Sequence, residues 1–293
     1  MKNAVADKSS AAQENVRKYF REVLDSQNLP SLPVVAGKLL EMVRDPNVSA
    51  RQLCRVLSDD PALVARVLAA SRSPHFAQRT LPTDVLSAVQ VLGLQNLTNI
   101  VMANAAYSLC VKGNPVSEKL WNHSLAVALA MRILYQWTGH GNGDLAFLAG
   151  LMHDVGEMIL AYGDPGGFAN LEEEVLAAQC QMMDKEQEAY GFDHTLIGLT
   201  LLDSWNLDSR IGQAVLNHHS EVAGDGSNEL PVTLSFADYL CFQAGLGFFA
   251  APPHPPELLL AKYGCDNDEG MGEALRAIRQ AYEEERALFK PAH

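Results

Sequence analysis

The amino-acid sequence predicts an all-α protein. Nearly every apolar segment repeats with the spacing of a helix, residues that cap helices recur where these segments begin and end, and the alternating pattern of strands is scarce. The chain has 293 residues, of which 48% are hydrophobic and 19% are charged, as in an ordinary globular protein. A chain of this length can bury a substantial core, and we expect a small N-terminal helical lobe followed by a larger helical bundle.

Short capped helices are predicted at the start of the chain. The first runs from about Ser10 to Leu24 and is followed by a proline-containing break. The second ends before Pro46, because a proline disfavours helical geometry in the residue that precedes it. Ser49 and Gln52 then form a capping-box pattern, which predicts the start of the third helix.

Three further helices complete the predicted N-terminal lobe. Asp60-Pro61 has the pattern of an N-cap residue followed by a proline in the first helical turn, and it predicts the start of the fourth helix. A fifth helix is expected over 83–92, where Gly93 stops it, and a sixth over 97–109. These short, capped segments indicate a compact helical lobe.

Longer helices are predicted after a turn around Lys112–Pro115, which marks the boundary of the lobe. The segment Leu145–Tyr162 is apolar on almost every side, so we expect one central, buried helix. Any His or Asp inside it must be paired or bound to a ligand, because an isolated buried charge costs several kcal/mol. The remaining helices are expected near residues 170–190, 194–205, 209–219, 232–247 and 271–289.

The charge and the apolar pattern argue against two classes of function. Lys and Arg number 22 against 35 Asp and Glu, a net charge of −13 without a basic block, so we expect no DNA binding. No apolar run reaches the roughly 18 residues of a membrane span, and the start of the chain lacks the apolar stretch of a signal peptide. We therefore expect a cytoplasmic protein that does not contact a membrane.

The cysteines are odd in number, far apart and mostly inside apolar segments, and none forms a CxxC pair. This pattern predicts buried free thiols rather than a disulfide framework or a thiolate metal site. The five residues are Cys54, Cys110, Cys180, Cys241 and Cys265.

Five histidines and two aspartates lie on predicted helices or at their ends and form the candidate site. Imidazole nitrogen and carboxylate oxygen suit Zn, Fe, Mn, Ni and similar divalent metals, and helices of a bundle can project such groups to one interior point. The alternative is that these side chains make hydrogen bonds around a vestigial pocket. The candidates are His123, His153, Asp154, His194, His218, His219 and Asp238.

The pattern His123, His153-Asp154, Asp238 resembles the H…HD…D signature of the HD superfamily of metal-dependent phosphohydrolases. More specifically, the chain from about residue 29 to residue 220 resembles the HDOD domain, the HD-related output domain of bacterial signalling proteins. The marks of this resemblance are Leu29-Pro-Ser-Leu-Pro33, the Asp45-Pro46 turn, Leu57-Ser-Asp-Asp-Pro61-Ala-Leu, Ala88-Val-Gln-Val-Leu-Gly93, Ala149-Gly-Leu-Met-His-Asp-Val-Gly156, Phe192-Asp-His-Thr-Leu-Ile-Gly198 and Trp205-Asn-Leu.

The resemblance implies a division of the chain. It predicts an N-terminal helix over 1–28 and an HDOD domain over 29–225, made of the helical lobe 29–112 and an HD-like bundle 113–225. Residues 226–293 are predicted to be a helical extension that completes the bundle. The implied partner is a bacterial signalling protein or a small ligand, which includes a nucleotide.

The resemblance also implies a metal site. One ion would be held by His123, His153, Asp154 and Asp238. A second ion would share Asp154 and add His194, His218 and His219, which match the extra ligands of the related HD-GYP phosphodiesterases.

Three departures bear on whether the activity of these relatives carries over. Ser220–Asn228 stands where HD-GYP enzymes have Gly-Tyr-Pro, and Lys119 replaces a glutamate that is a ligand in three-metal relatives. Glu157 replaces the lysine that follows the His-Asp pair, and an acid there should repel phosphate. An ion pair of Glu157 with Lys119 or with an arginine would remove that repulsion.

Three functions therefore stay open. The first is a signalling output or interaction module that holds one or two metal ions. The second is a metal-dependent phosphohydrolase or phosphodiesterase acting on a nucleotide, with Asp154 as the catalytic group that orients the attacking hydroxide. The third is a diiron redox or oxygen-responsive site built from the same ligands.

Overall fold

The computed structural model describes residues 2–27, 32–73, 76, 81–111, 113–139, 141–178, 180–220, 229–248, 252, 254–255 and 257–289. Within these ranges the chain forms fifteen helices and no strand, which confirms the all-α class predicted from the sequence. The predicted domain boundaries at residues 28/29, 112/113 and 225/226, and the segment 221–228 that stands in place of Gly-Tyr-Pro, involve residues outside the described ranges.

The chain divides into two units. The lobe unit consists of Ser31–Ser108 with Gln280–His293, and the bundle unit consists of Met1–Pro30 with Leu109–Arg279. The lobe unit contains α2 Val34–Val43, α3 Ala50–Leu57, α4 Pro61–Ser71 and α5 Val85–Tyr107, together with the end of α15 Asp268–Phe289.

Capping residues set the starts of the lobe helices. The Ser49 side chain accepts the Gln52 backbone N–H and Gln52 reciprocates, so the predicted capping box at α3 is confirmed. The predicted end of a helix at Gly93 is confirmed, because its φ of 73° and ψ of 173° are not helical and divide α5 into two helical segments that meet at a kink. A left-handed φ is accessible to glycine at little cost, and two helical segments therefore meet without a loop between them.

The bundle unit holds the remaining helices, which differ from the prediction in two helices that are divided and in the helix Glu257–Lys262, which was not predicted. The expected single helix over Leu145–Tyr162 is two helices, because the chain turns at His153 and Asp154. The expected helix over 170–190 is also two, α9 and α10. The bounds are α1 Lys2–Gln27, α6 Pro115–Thr138, α7 Gly143–Met152, α8 Val155–Gly163, α9 Pro165–Ala178, α10 Met182–Tyr190, α11 His194–Ser204, α12 Ser209–Asn217, α13 Glu229–Gln243 and α14 Glu257–Lys262.

Helices α6 and α7 form the centre of the bundle and approach each other closely. A Cβ atom added at Gly150 would lie 2.7 Å from Cα of Ala128, so only a glycine allows the two backbones to come this near. Trp121 and Phe147 fill the core around this contact and are almost fully buried. The close packing brings the middle of α6 beside the end of α7, where His153 lies.

Two helical segments are long and apolar enough to cross a membrane, Val85–Tyr107 and Gly143–Gly163. Neither is an unbroken apolar run, since Gly93 kinks the first and the turn at His153 interrupts the second. In the second segment 89% of the apolar window is buried within the protein, as in a core helix, whereas the first is 44% buried. Buried core helices meet the same length and composition criteria, so these segments are weak evidence for a membrane location.

Candidate metal centre

The seven side chains proposed as metal ligands all lie in the bundle unit, at or near one pocket. His123 is in the middle of α6, and Asp238 is on α13. The other five lie at helix ends, where the backbone can direct side chains inward. His153 and Asp154 form the turn between α7 and α8, His194 begins α11, and His218 and His219 directly follow α12.

The carboxylate of Asp154 lies at the centre of the cluster and faces imidazoles on both sides. Its Oδ2 is 2.9 Å from Nε2 of His153 and 3.5 Å from Nε2 of His123. Its Oδ1 is 3.6 Å from Nε2 of His218 and 3.8 Å from Nε2 of His194. The two oxygens therefore face two different pairs of histidines, which is the arrangement of a bridging carboxylate.

Asp238 and His219 lie on opposite sides of the Asp154 carboxylate, beside His123 and His194, respectively. Oδ1 of Asp238 lies 3.2 Å from Nε2 of His123. Nε2 of His219 lies 3.2 Å from Nε2 of His194. His219 is exposed whereas His218 is buried, so His219 lies at the mouth of the cluster. The structure thus brings together all seven predicted residues.

Three of the buried histidines are oriented by the backbone. The carbonyl oxygens of Gly150, Val215 and Leu246 lie 2.8, 2.7 and 3.0 Å from Nδ1 of His153, His218 and His123, respectively. Because a carbonyl oxygen only accepts hydrogen bonds, each Nδ1 must carry a proton and donate it. In the neutral ring the lone pair is then on Nε2, which faces the centre of the cluster.

His194 is held differently, by a residue that the sequence prediction missed. Oε2 of Glu186, on α10, lies 2.8 Å from Nδ1 of His194 and also accepts the backbone N–H of His194 at 2.8 Å. Glu186 is fully buried. Its neighbour on the same helix, Glu188, is exposed and pairs with Lys185, and no sequence pattern separates these two glutamates.

The pKa values in the cluster follow from burial and from the surrounding charges. Burial by itself would raise the pKa of Asp154, but the imidazoles around it, His153 foremost, hold that pKa well below its ordinary value. Burial would likewise lower the pKa of His123, yet Asp238 and Asp154 raise it to about 9. For His218 burial is the largest effect and lowers the pKa. Asp154 is therefore an ionised carboxylate, ready to act as a ligand.

The donor set fits a divalent metal ion. Nε2 of His153 and Nε2 of His218 are buried and have no hydrogen-bond partner among the described residues, although both lie near Asp154. Buried polar atoms without partners are uncommon in native proteins, and converging imidazole lone pairs around a carboxylate are the ligands of Zn, Fe, Mn and Ni. Three overlapping groups of the described residues have the required spacing: His123, His153 and Asp154; Asp154, His194, His218 and His219; and Glu157, Glu186 and His194.

A pocket of about 470 Å³, a volume that includes the solvent at its mouth, opens onto this cluster. Met182, Met183, Phe248 and Pro252 form apolar walls, and Gln181 adds an amide. Among the described residues that line it, none is a lysine or an arginine. The described part of the pocket therefore offers a phosphate group no cationic side chain apart from its histidines.

Glu157 lines the same pocket, and its surroundings decide the ion pair left open by the sequence. Lys119 pairs with Glu172 at 3.2 Å, whereas Oε1 of Glu157 lies 3.6 Å from Nδ1 of His194. Of the partners left open for Glu157, Lys119 is therefore not the one. Burial, followed by the charge of Asp154, raises the pKa of Glu157 well above its ordinary value, so its carboxyl repels phosphate less than an exposed glutamate would.

Comparison with protein families supports the interpretation of the sequence. The family model of the HDOD domain matches residues 29–221. An uncharacterized protein of Treponema pallidum (strain Nichols) is 25% identical over 226 residues, which are 74% of this chain and 42% of that protein. The chain thus spans about two fifths of the length of this relative.

Solved structures show the same fold. An HDOD domain protein of unknown function from Geobacter sulfurreducens superposes with a TM-score of 0.73 and 24% identity, covering 95% of each chain. A protein of Shewanella amazonensis SB2B, provisionally named a metal-dependent phosphohydrolase, superposes with a TM-score of 0.63 and 21% identity, covering 96% of this chain and all of that one. At these identities the likeness confirms the helical HD-like fold.

Proposed function

The chain belongs to the HDOD domain family, and from that premise we propose that it is a bacterial signalling output protein that holds one or two divalent metal ions. The observation that carries the proposal is the convergence of Asp154 with buried imidazole nitrogens that have no hydrogen-bond partner among the described residues. A bound ion would stabilise one arrangement of the helices that supply its ligands. A partner protein could then bind that arrangement.

The two sides of the Asp154 carboxylate define the two proposed ion positions. One ion would be held by His123, His153, Asp154 and Asp238, and the other by Asp154, His194, His218 and His219. A bound ion supplies Lewis acidity or, for iron, a change of oxidation state. The chain itself supplies imidazoles with Nε2 turned inward and a central carboxylate that balances the positive charge.

A signalling module is favoured over an enzyme because the described pocket lacks a cationic side chain for phosphate. Enzymes that transfer phosphoryl groups place lysine, arginine or additional metal charge around the phosphate oxygens. Here Glu157 occupies the pocket wall beside His194, and Lys119 is engaged by Glu172. The remaining walls are methionine, phenylalanine and proline, which suit an apolar surface or ligand.

A metal-dependent phosphohydrolase acting on a nucleotide is the second candidate, and the complete ligand set favours it. Asp154 faces both halves of the cluster, as expected of a carboxylate shared by two ions. In this reading Asp154 would also be the catalytic group. The third candidate, a diiron redox or oxygen-responsive site, requires iron in both positions.

The metal content of the protein tests the proposal. Protein purified without a metal-affinity step is analysed by elemental mass spectrometry beside the double variant His153→Ala, Asp154→Ala. We expect one or two ions per chain in the wild type and a loss of metal in the double variant. A matched control is His254→Ala, which replaces an exposed histidine outside the pocket. Wild-type protein without metal would overturn the proposal.

Two further measurements separate the candidates once metal is found. Turnover of bis(p-nitrophenyl) phosphate or a cyclic dinucleotide by the wild type, abolished by Asp154→Asn, would favour the phosphohydrolase. The absence of turnover would favour the signalling module. An optical spectrum of freshly purified protein separates a diiron site, which absorbs light in its oxidised form, from a zinc site.

We further propose a cytoplasmic setting and a partner that is a signalling protein or a small ligand, which includes a nucleotide. The net charge of −13 opposes binding to DNA. A pull-down with the wild type and the metal-free double variant, read by mass spectrometry, tests whether a signalling protein binds in a metal-dependent way. Recovery of the same proteins with both forms would contradict a role for the ion.

A further inference from the structure

Among the four buried histidines of the cluster, His194 alone has its Nδ1 beside a carboxylate rather than a backbone carbonyl. The other three, His123, His153 and His218, contact backbone carbonyl oxygens through Nδ1. His194 contacts Glu186 instead. We propose that Glu186 is a positioning residue, which orients His194 and strengthens its Nε2 as a metal ligand. This inference rests on the proposed metal site.

One oxygen of Glu186 contacts both the backbone and the ring of His194. Oε2 of Glu186 lies 2.8 Å from the backbone nitrogen and 2.8 Å from Nδ1 of His194. The two contacts fix the start of α11 and the rotation of the imidazole together. Nε2 is thereby turned to the opposite side, where it lies 3.8 Å from Oδ1 of Asp154 and 3.2 Å from Nε2 of His219.

A carboxylate acceptor has a different chemical effect from a carbonyl acceptor. A hydrogen bond from Nδ1–H to a charged oxygen is stronger than one to a neutral oxygen, and it shifts electron density toward Nε2. The ligand strength of His194 should therefore exceed that of His123, His153 and His218. The two halves of the proposed site would then differ, and the half containing His194 and His219 would depend on Glu186 for its affinity.

A purely structural role as a helix cap does not account for Glu186. The cap of α11 is Asp193, whose Oδ1 accepts the backbone N–H groups of Thr195 and Leu196. Glu186 is fully buried, and its second oxygen, Oε1, has no hydrogen-bond partner among the described residues. Burying a carboxylate costs several kcal/mol, and a glutamine could have accepted the same backbone N–H without a charge.

The acidic surroundings of His194 extend to Glu157. Oε1 of Glu157 lies 3.6 Å from the same Nδ1, so two carboxyl groups face one side of the imidazole while the cluster lies on the other. The negative charge of Glu186 behind His194 favours a cation in front of it. His153 and His218 differ in this respect, because their Nδ1 atoms contact backbone carbonyl oxygens and not carboxyl groups.

The experiment compares Glu186→Gln with the wild type in both the metal-free and the loaded protein. Glutamine keeps the size and one acceptor oxygen of Glu186 but removes its charge. The matched control is Glu188→Gln on the same helix, where the side chain is exposed and pairs with Lys185. Far-ultraviolet circular dichroism confirms that each variant is folded.

The first measurement uses zinc competition with a chromogenic chelator. We expect Glu186→Gln to weaken binding of one ion by about 10- to 100-fold, the usual effect of removing a partner that orients a metal-bound histidine. Binding of the other ion, and both affinities of Glu188→Gln, should match the wild type. Wild-type affinity for both ions in a folded Glu186→Gln protein would overturn the proposal.

The second measurement needs no metal. Long-range proton–nitrogen NMR of histidine-labelled, metal-free protein reports which ring nitrogen carries the proton. We expect Nδ1–H at His194 in the wild type, with a proton resonance that moves upfield in Glu186→Gln and stays in place in Glu188→Gln. An unprotonated Nδ1 of His194 in the wild type would overturn the positioning role. A wild type that binds no zinc would instead refute the metal site. The Nδ1–H resonance of His194 would still show whether Glu186 accepts a hydrogen bond from that ring.

Discussion

Gly156 lies directly against the backbone of His194. A Cβ atom built at position 156 would lie 2.0 Å from the carbonyl oxygen of His194, far inside any real contact distance. Gly198, one turn further along α11, faces the same place, since its Cβ would lie 3.5 Å from the backbone nitrogen of Gly156. The two glycines allow α8 and α11 to approach closely, and this approach sets the distance between Asp154 and His194.

Replacing Gly156 with alanine should therefore disturb both stability and the metal site. A methyl group that meets backbone cannot be accommodated by a rotamer change, and overpacking of this kind costs about 1–3 kcal/mol or more. We expect the Gly156→Ala variant to melt about 3–10 °C below the wild type and to lose metal. Calorimetry and elemental analysis measure both effects.

The control for this prediction is Gly166→Ala on α9. A Cβ at Gly166 would meet no atom within 4 Å, and its φ is not in the left-handed region. Alanine there should leave the melting temperature unchanged or raise it slightly, since alanine favours the helix. Equal melting temperatures for Gly156→Ala and the wild type would contradict the close approach of the two backbones.

The sequence could predict the candidate ligands but not the backbone that brings them together. Helical spacing and capping residues predicted the all-α class, as at Ser49 and Gln52. The turn at His153 and Asp154 was missed, because an apolar run that is buried on all sides looks the same whether it is one helix or two. The break is what allows both side chains to point into the cluster.

Glu186 shows a second limit of sequence-based prediction. On its helix, Met182–Tyr190, Glu186 lies among charged residues, a pattern that predicts a solvent-exposed face. It is fully buried because α10 packs where the start of α11 lies, a long-range relationship that no local pattern encodes. The same holds for Glu157, for which the sequence left a lysine or an arginine open as a partner and which lies beside His194.

Cys241 should not be a metal ligand, although it follows Asp238 by one helical turn. All five cysteines are free thiols, as the sequence predicted, but only Cys241 and Cys265 are buried. Burial, followed by the charge of Asp238, raises the pKa of the Cys241 thiol well above its ordinary value, and Cys241 belongs to none of the groups of described residues whose ligand atoms converge. We expect Cys241→Ala to retain the wild-type metal content, as measured by elemental mass spectrometry.

Asp238→Ala provides the comparison for the cysteine variant. Oδ1 of Asp238 lies 3.2 Å from Nε2 of His123, so its removal should lower the metal content. Loss of metal from Cys241→Ala with retention in Asp238→Ala would reverse the assignment of ligands on α13.

His218 and His219 should respond differently to replacement by alanine. His218 is buried and Nδ1 donates to the carbonyl of Val215 at 2.7 Å, so His218→Ala leaves a cavity and an unpaired carbonyl. We expect it to cost about 2–4 kcal/mol of unfolding free energy in the metal-free protein. His219 is exposed, and His219→Ala should cost less than about 1 kcal/mol while still weakening metal binding.

Urea denaturation in the presence of EDTA measures the two stabilities, and zinc competition measures the affinities. Because both residues are proposed ligands of the same ion, their effects on affinity should be similar while their effects on stability differ. A His219→Ala variant that is destabilised as much as His218→Ala would show that His219 is a packing residue rather than a ligand at the mouth of the pocket.

Tyr19 on α1 should make the stability of the protein sensitive to alkaline pH. Its ring packs edge-on against Tyr190 and Phe192, with centroids 5.6 and 5.5 Å away. Burial, followed by the charges of Tyr190 and Asp164, raises the pKa of Tyr19 above its ordinary value. In the unfolded chain tyrosine ionises near pH 10, whereas the folded protein resists this ionisation.

The stabilising effect of a neutral Tyr19 is therefore complete below about pH 10 and is lost as the pH rises further, by up to about 1.4 kcal/mol per pH unit. The Tyr19→Phe variant removes the contribution of Tyr19 to the pH dependence of the unfolding free energy. At pH 7 it should equal the wild type or exceed it slightly, because the Tyr19 hydroxyl is buried without a hydrogen-bond partner among the described residues. Urea denaturation at pH 7, 9, 10.5 and 11.5 measures the difference between the two proteins, which should widen in favour of Tyr19→Phe only at the two highest values. A variant that is less stable than the wild type at pH 7 by more than about 1 kcal/mol would indicate a hydrogen bond to the hydroxyl and contradict the explanation.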